Sequence, residues 1–323
     1  MNKVSVAVLG ATGAQGGGLV RAALSDPARR FAPRALTRKP QSTAAQALAR
    51  AGADVVAADL DDVDSLAYAF AGVHGVFAVT NFWEHHSPEA EHRQARNVAI
   101  AAQRAGVKHV VWSTLEDTRD AMALDDPRMP VLMGRYKVPH MDTKGEANAV
   151  FRELGVPTTF LYTSFYWDNL IHFGMAPQRG ADGDLVFTLP LGDVRLPGIA
   201  ASDIGACALA LFAQGDRAIG RDVGIAGEHL GGAEMAAALV RALGEPVRYH
   251  AIGFASYAQL AFPGAAELAN MFQYKHDFND CYCASRPVAA TRALHPGLLS
   301  FEGWLDRHRA ELPVPSNRTS TQP

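Results

Sequence analysis

The sequence predicts an α/β protein built on a doubly wound parallel sheet, and three observations support this fold class. Short apolar runs alternate with helical stretches from Val4 to Ser113. The runs are rich in valine and alanine without strict polar alternation, which is typical of strands buried on both faces. Gly52, Gly72 and Gly106 follow three of the helical stretches, where helix ends favour glycine.

The predicted elements alternate regularly along this first part of the chain. The predicted strands are Val4–Leu9, Pro33–Thr37, Ala53–Ala58, Gly75–Thr80 and His109–Ser113. The predicted helices are Gly16–Ser25, Thr43–Ala51, Val63–Ala71 and Pro88–Ala105. Because connections between parallel strands are right-handed, this order places helices on both faces of one sheet.

The regular alternation of strands and helices stops in the middle of the chain. Three prolines make Glu116–Pro139 loop-like. A predicted helix at Met141–Leu154 and a strand at Thr158–Tyr162 then complete the first domain. We assign that domain to residues 1–160 together with part of residues 195–230.

Residues 161–312 are predicted to form a smaller α+β C-terminal lobe for a substrate or partner. The elements predicted beyond Tyr162 are a helix after Ser202-Asp203, a strand near Val223–Ala226, and helices at Ala233–Leu243 and Phe254–Asn270. Residues 313–323 are rich in proline, serine and threonine, so we expect a flexible tail.

Composition and charge restrict the function classes. The chain has 323 residues with a net charge of -3, which provides no basic field for nucleic acid. No apolar run approaches the ~20 residues of a membrane span, and no signal-peptide pattern opens the chain. We therefore expect a cytoplasmic protein without nucleic acid or membrane partners. The three cysteines fit free thiols in a reducing compartment, and no spacing of histidine or cysteine indicates a metal site.

A glycine-rich turn follows the first predicted strand and opens the first helix. Gly10, Gly13 and Gly16 recur at intervals of three residues. In such a pattern the first glycine allows a tight turn, the second admits a pyrophosphate close to the backbone, and the third lets the helix pack on the strand. The helix N-terminus adds free N–H donors and a positive dipole end. This context predicts a Rossmann domain that binds a dinucleotide; a turn that has lost its ligand is the alternative.

The end of the second predicted strand indicates which dinucleotide is bound. Arg38 and Lys39 follow Thr37, where an NAD site usually has an acidic residue for the ribose 2′-hydroxyl. A guanidinium matches the geometry of a phosphate, and Lys39 adds a point charge. We therefore predict NADP(H), with NAD(H) less favoured. A solvated basic turn is the alternative.

Further candidate cofactor contacts follow the third and fourth predicted strands. They are Asp59, Leu60, Thr80, Asn81 and Phe82. These positions lie at carboxyl ends of strands, where open α/β sheets bind ligands. Ordinary turn chemistry is the alternative for each of them.

The sequence lacks the catalytic pair of a short-chain dehydrogenase, a tyrosine followed four residues later by a lysine. Lys144 has His140 in the place of the tyrosine. His140 is either a proton donor or a packed side chain. Lys144 is predicted to contact the nicotinamide ribose, with an exposed helix lysine as the alternative. Tyr162 opens an aromatic segment that either borders the cofactor or forms the edge of a core.

Segments along nearly the whole chain resemble the NmrA-like family of atypical short-chain dehydrogenases. They are Val6–Gly17, Thr37-Arg38, Ala71–Phe77, Val138–Glu146, Ala201–Gly205, Gly227–Leu230 and Val247–Tyr249. Members resemble NADP-binding redox sensors and regulators, and the family borders true NADPH-dependent reductases. The resemblance implies contacts to the pyrophosphate, the 2′-phosphate and the ribose. The residues concerned are, respectively, Gly10, Thr12, Gly13, Gln15 and Gly16; Arg38; and Lys144.

Three functions fit these observations. The favoured one is an NADP(H)-binding redox sensor or regulator with little or no dehydrogenase activity, because a complete phosphate loop accompanies the missing tyrosine. The second is an NADPH-dependent reductase of a quinone, carbonyl or enone. The third is a scaffold with a vestigial site. The sequence leaves open a protein partner, a small-molecule substrate and a homodimer.

Overall fold

The computed structural model describes residues 3–315, and the chain divides into two compact units. Unit 1 comprises Met1–Thr163, Ala201–Ile225 and Ser285–Leu298. Unit 2 comprises Ser164–Ala200, Ala226–Ala284 and Leu299–Pro323. Within the described residues, no helix combines the length and apolar character needed to cross a membrane.

The strands are numbered in chain order. They are β1 Val4–Val8, β2 Phe31–Thr37, β3 Asp54–Ala57, β4 Gly75–Ala78, β5 His109–Thr114, β6 Thr158–Tyr162, β7 Phe165–Tyr166, β8 Gln178–Arg179, β9 Leu185–Leu189, β10 Leu196–Ile199, β11 Asp222–Gly224, β12 Glu228–Leu230 and β13 Val247–Ala251.

The α-helices are numbered in the same way. They are α1 Ala14–Leu24, α2 Thr43–Arg50, α3 Val63–Phe70, α4 Phe82–His85, α5 Pro88–Arg104, α6 Pro139–Glu153, α7 Asn169–His172, α8 Ala201–Gln214, α9 Gly232–Leu243, α10 Phe254–Ala258, α11 Ala265–Asp277, α12 Asn279–Ala284, α13 Val288–Leu294 and α14 Phe301–His308.

Unit 1 contains a seven-stranded sheet in the order β11-β6-β5-β4-β1-β2-β3. All of its strand pairs are parallel. The chain starts at β1, builds outward through β2 and β3, and then returns to add β4, β5 and β6 on the other side. The predicted doubly wound parallel sheet is therefore confirmed. Its carboxyl edge collects the ends of β1, β2 and β4, where ligands bind in such sheets.

One face of this sheet is covered by an apolar core beneath α3 and α5. Leu66, Val76, Val98, Trp112 and Phe151 are fully buried there. Burial of a large apolar side chain contributes roughly 1.5–3 kcal/mol to the stability of the fold. This layer therefore stabilises the strands whose carboxyl ends form the sheet edge.

Helices α1 and α8 pack with their backbones almost in contact. A Cβ atom on Gly18 would lie 2.4 Å from the carbonyl oxygen of Ser202, and one on Gly205 would lie 2.0 Å from the backbone nitrogen of Leu19. Neither position accepts a side chain without separating the helices. The close packing fixes α1, the helix that begins at the glycine-rich turn.

The segment Ser285–Leu298 belongs to unit 1, whereas the sequence places it in the C-terminal lobe. Arg286 is fully buried. Its guanidinium pairs with Glu116 at 2.7 Å and donates to the carbonyl oxygen of Thr163 at 2.9 Å. A buried guanidinium needs such partners, and they tie this late segment to the Rossmann unit.

Residues 116–139, predicted to be loop-like, are fixed at their base by Asp142. Its Oδ1 accepts from the backbone nitrogen of Thr118, and its Oδ2 accepts from those of Lys137 and Val138. The buried Lys137 ammonium donates to the carbonyl oxygens of Asp126 and Met129 at 2.8 and 2.6 Å. These contacts hold the two ends of the loop against helix α6.

Unit 2 is the smaller α+β part of the chain, as predicted. It has two three-stranded sheets, β12-β10-β7 and β13-β9-β8. Trp167, from the aromatic segment after Tyr162, is buried with ring centroids 5.5 Å from Phe301 and 6.5 Å from Trp304. Its indole therefore belongs to the core of this unit.

The predicted single helix Phe254–Asn270 is wrong. Helix α10 ends at Ala258 and α11 begins at Ala265. Pro263 and Gly264 lie between them, and Gly264 has a φ of +85°. Proline removes a backbone donor, and the left-handed Gly264 is the N-cap of α11, so this pair prevents one continuous helix.

Part of the predicted C-terminal tail is described. Arg179 Nε donates to the carbonyl oxygen of Pro315 at 3.1 Å. The rest of that prediction, residues 316–323, lies outside the described residues.

Candidate functional site

The glycine-rich turn has the geometry of a phosphate cradle. Gly10 adopts a φ of +61°, and the backbone nitrogen of Gly13 donates to its carbonyl oxygen at 2.9 Å. A Cβ atom on Gly16 would lie 2.5 Å from the same oxygen, so only glycine lets α1 come this close to the turn. Thr12 and Gly13 are exposed at the rim of the cradle. The turn thus presents backbone to a ligand at the N-terminus of α1.

Gln15 links this helix to the neighbouring part of the sheet edge. Ser113, near the end of β5, donates from its hydroxyl to Gln15 Oε1 at 2.8 Å. The contact places a predicted pyrophosphate-binding side chain beside the end of β5.

Arg38 lies at the end of β2 and pairs with a carboxylate that the sequence did not connect with it. Arg38 Nη2 is 2.5 Å from Glu84 Oε1, and the two side chains are 57% and 49% exposed. The hydrogen bond and charge of Glu84 raise the pKa of Arg38, with smaller contributions from Asp59 and Asp61. Lys39 is exposed next to it.

The residues after β3 mostly shape a turn. Asp59 Oδ1 accepts from the backbone nitrogen of Asp61 at 3.0 Å. Leu60 packs against the core, and its carbonyl oxygen accepts from Asn97 at 2.9 Å. Asp62 caps helix α3 by accepting from the backbone nitrogens of Asp64 and Ser65. The predicted cofactor roles of Asp59 and Leu60 remain predictions.

Lys144 and Thr80, both predicted from sequence, lie in direct contact. Lys144 Nζ is 2.7 Å from Thr80 Oγ1, 3.1 Å from its carbonyl oxygen and 2.5 Å from Glu91 Oε1. Thr80 also donates to Glu91 Oε1 at 2.5 Å. The three groups form one hydrogen-bonded cluster just after the end of β4.

Glu91 is the charged centre of this cluster. Its side chain is fully buried, while that of Lys144 is 12% exposed. Burial alone would raise the pKa of Glu91, but the charge of Lys144 and the contacts from His85, Lys144 and Thr80 outweigh it and lower the pKa to about 2. The cluster therefore holds an ionised carboxylate against a lysine ammonium at neutral pH.

His85 approaches Glu91 from the other side. His85 Nε2 is 3.4 Å from Glu91 Oε2, a long contact that is electrostatic rather than a full hydrogen bond. The backbone nitrogen of Ser87 donates to His85 Nδ1 at 3.1 Å, so a neutral ring carries its proton on Nε2 and directs it to Glu91.

His140 lies in an aromatic group one helical turn before Lys144. Its ring centroid is 5.0 Å from that of Trp83 and 6.2 Å from that of Phe82. His140 and Phe82 are buried and Trp83 is half-buried, whereas Asn81 is exposed at the start of α4. Helix α4 thus connects the aromatic group with the end of β4.

Tyr162 ends β6 and contacts helix α6. Its hydroxyl accepts from Asn148 Nδ2 at 3.2 Å. Asn148 Oδ1 accepts in turn from Trp112 Nε1 at 3.0 Å and from the Thr114 hydroxyl at 2.8 Å. Burial raises the pKa of Tyr162 to about 12, so its phenol stays protonated. This network orients the helix that carries Lys144.

Sequence reasoning missed Glu84 and Glu91 as parts of the site. Glu91 carried a usable signal, because residues 91, 95, 98 and 102 lie on one face of α5 and the other three are apolar. An acid on such a buried face needs a partner. Glu84 carried no such signal, since it is an exposed residue of the short helix α4. Among residues 3–315, no group of three or more histidine, cysteine or acidic side chains could hold a metal ion.

Comparison with known proteins connects this geometry to one family. The sequence profile of the NmrA-like family matches residues 2–305. An NmrA-like family domain-containing oxidoreductase, FrzB from Cladobotryum sp, is 28% identical over 89% of this chain and 88% of its own. An NAD(P)H azoreductase from Xenophilus azovorans is 34% identical over 76% of this chain and 77% of its own.

The same fold occurs in solved structures of NmrA, a negative transcriptional regulator. A complex with NADP and another with NAD each match with a TM-score of 0.75 and 23% identity. Each match covers 94% of this chain and 95% of the other. At this level of identity the likeness establishes a shared fold.

Proposed function

Because the chain belongs to the NmrA-like family, we propose that it binds NADP(H) at the carboxyl edge of its seven-stranded sheet and reduces a small-molecule acceptor. The glycine-rich turn fits a pyrophosphate, because Gly16 lets the N-terminus of α1 lie directly against the turn, and Thr12 and Gly13 are exposed at its rim. The turn from Gly10 to Gly16, with Thr12 and Gln15, would hold that group. Arg38 would hold the 2′-phosphate and Lys144 the nicotinamide ribose.

The observation that carries a reductase is the Lys144 cluster. A buried carboxylate and an ammonium pay a large desolvation cost, which their mutual attraction and the Thr80 contacts offset. A relative that is 34% identical is an NAD(P)H azoreductase, which favours catalysis over the sensor that the sequence alone favours.

The bound cofactor would supply the hydride, and the chain supplies position, charge and a proton. Lys144 holds a positive charge at the end of β4, with its Nζ fixed by Glu91 and Thr80. We assign proton donation to His140, one helical turn away and packed on Trp83. The acceptor class that we propose is a planar azo, quinone or carbonyl compound.

The test is NADPH binding followed by NADPH oxidation against a panel of azo dyes, quinones and carbonyl compounds. We expect turnover that is lost in Lys144→Gln and reduced in His140→Gln. Lys108→Gln removes the charge of an exposed lysine elsewhere in unit 1 and serves as the matched control. Turnover that persists in Lys144→Gln would contradict the assigned role.

The redox sensor is the second candidate, and one observation favours it. His140 stands where short-chain dehydrogenases have their tyrosine. Tight NADPH binding without turnover of any acceptor would reject the reductase and support the sensor. Failure to bind NADPH and NADH would reject both.

A further inference from the structure

The guanidinium assigned to the 2′-phosphate already contacts an anion of the chain itself. Arg38 Nη2 lies 2.5 Å from Glu84 Oε1. The strand order β4-β1-β2 puts Arg38, after β2, and Glu84, after β4, on the two sides of β1. The pair therefore flanks the glycine-rich turn that leaves β1.

A carboxylate and a phosphate bind the same fork of a guanidinium. A 2′-phosphate on Arg38 would bring two anions to one cation, and like charges at such short range repel. Asp59 and Asp61 add negative charge in the same region. Asp61 is engaged by Arg93 at 3.0 Å and Asp59 accepts from the backbone nitrogen of Asp61, whereas Glu84 is in direct contact with Arg38.

We propose that Glu84 is an internal competitor for the 2′-phosphate and thereby a determinant of the choice between NADP(H) and NAD(H). NADP(H) binding requires Glu84 to release Arg38. NAD(H), which carries a 2′-hydroxyl, leaves the pair in place. This inference rests on the proposed binding of NADP(H) and adds a residue that lowers the preference for it.

The exposure of both side chains sets the size of the effect. Pairs that are about half exposed on each side are well solvated, and their strength is modest. Removal of the Glu84 charge should therefore tighten NADP+ binding by about five-fold. Binding of NAD+ should change by less than about two-fold, because its ribose does not compete for Arg38.

The experiment is isothermal titration of NADP+ and NAD+ into wild type, Glu84→Gln and Glu89→Gln. Glu89 is exposed at the start of α5 and contacts Ser87, so its substitution makes the same change in net charge without touching Arg38. We expect a higher ratio of NADP+ to NAD+ affinity in Glu84→Gln and an unchanged ratio in Glu89→Gln. An unchanged ratio in Glu84→Gln would overturn the proposal, including one that results from equal tightening of both ligands.

A double-mutant cycle with Arg38→Ala tests whether Glu84 acts through Arg38. In the Arg38→Ala background, Glu84→Gln should give no further gain for NADP+. A five-fold gain that persists there would show a general charge effect and overturn the competition. If wild type binds NADP+ but the ratio of NADP+ to NAD+ affinity is the same in Glu84→Gln, this inference fails while the proposed cofactor stands. If wild type binds neither ligand, both fail.

Discussion

Two charge pairs at the carboxyl edge of the same sheet have equal N–O distances and opposite surroundings. Lys144–Glu91 and Arg38–Glu84 both measure 2.5 Å. Glu91 is fully buried, while Arg38 and Glu84 are about half exposed. Water can replace a partner of the exposed pair but not of the buried one. One end of the proposed dinucleotide site therefore has a fixed charge pair, and the other has a pair that a ligand can exchange.

A buried histidine in the same sheet extends this comparison. His109 in β5 lies next to Thr159, with its Nε2 2.8 Å from that hydroxyl. Burial is the main cause that lowers the pKa of His109 to about 4, with a further contribution from His74. Buried Glu91 keeps its charge because Lys144 faces it, whereas the charge of Asp216 only partly opposes the effect of burial on His109, which stays neutral.

The largest expected effect comes from breaking the buried pair. Lys144→Met leaves Glu91 buried without its counter-charge and should lower the free energy of unfolding by roughly 3–5 kcal/mol. Urea unfolding measures this change. The double variant Lys144→Met/Glu91→Leu should recover much of the loss, because no charge is left buried. Equal losses in the single and double variants would contradict this account.

The next effect is acid sensitivity at Glu91. Its pKa is lowered from 4.5 to about 2, so the stabilisation is complete above pH 4.5 and is lost as the pH falls toward 2. The shift corresponds to roughly 3 kcal/mol. Urea unfolding across this range should show a steep loss in wild type and a flatter profile in Glu91→Gln.

His109 should contribute to the pH dependence of unfolding at higher pH than Glu91 does. Its pKa is lowered from 6.5 to about 4, so its contribution is present above pH 6.5 and is lost as the pH falls through 4. The maximum loss is about 3 kcal/mol and smaller if water enters. His109→Gln retains a donor for Thr159 and should flatten the pH dependence of unfolding in this window. An unchanged slope would show that another group titrates there.

The smallest effect on stability is expected at the exposed pair. Arg38→Ala should change the free energy of unfolding by less than about 1 kcal/mol. Its effect on binding should be larger, a loss of about 10- to 100-fold in NADP+ affinity, because a charge-assisted hydrogen bond to phosphate is removed. NAD+ affinity should hardly change. Equal losses for both dinucleotides would mean that Arg38 does not meet the 2′-phosphate.

The fold was largely predictable because local patterns determine it. Apolar runs predicted β1 to β6 with only small shifts at their ends, and Thr158–Tyr162 agrees at both ends. The adjacent Pro263 and Gly264 were a local signal for the break between α10 and α11, although the predicted helix ran through them. The place of Ser285–Leu298 could not be predicted, because it depends on the contact between the buried Arg286 and Glu116, which is 170 residues away in the sequence.

The parallel sheet, the glycine cradle and the position of Lys144 could be predicted, since each follows from local spacing and strand order. The carboxylate that each cation contacts could not, because it depends on tertiary packing. Lys144 lies 53 residues from Glu91, and Arg38 lies 46 residues from Glu84. Such contacts depend on the order of strands and the packing of helices between them. A local pattern of residues cannot predict a contact between residues so far apart in the sequence.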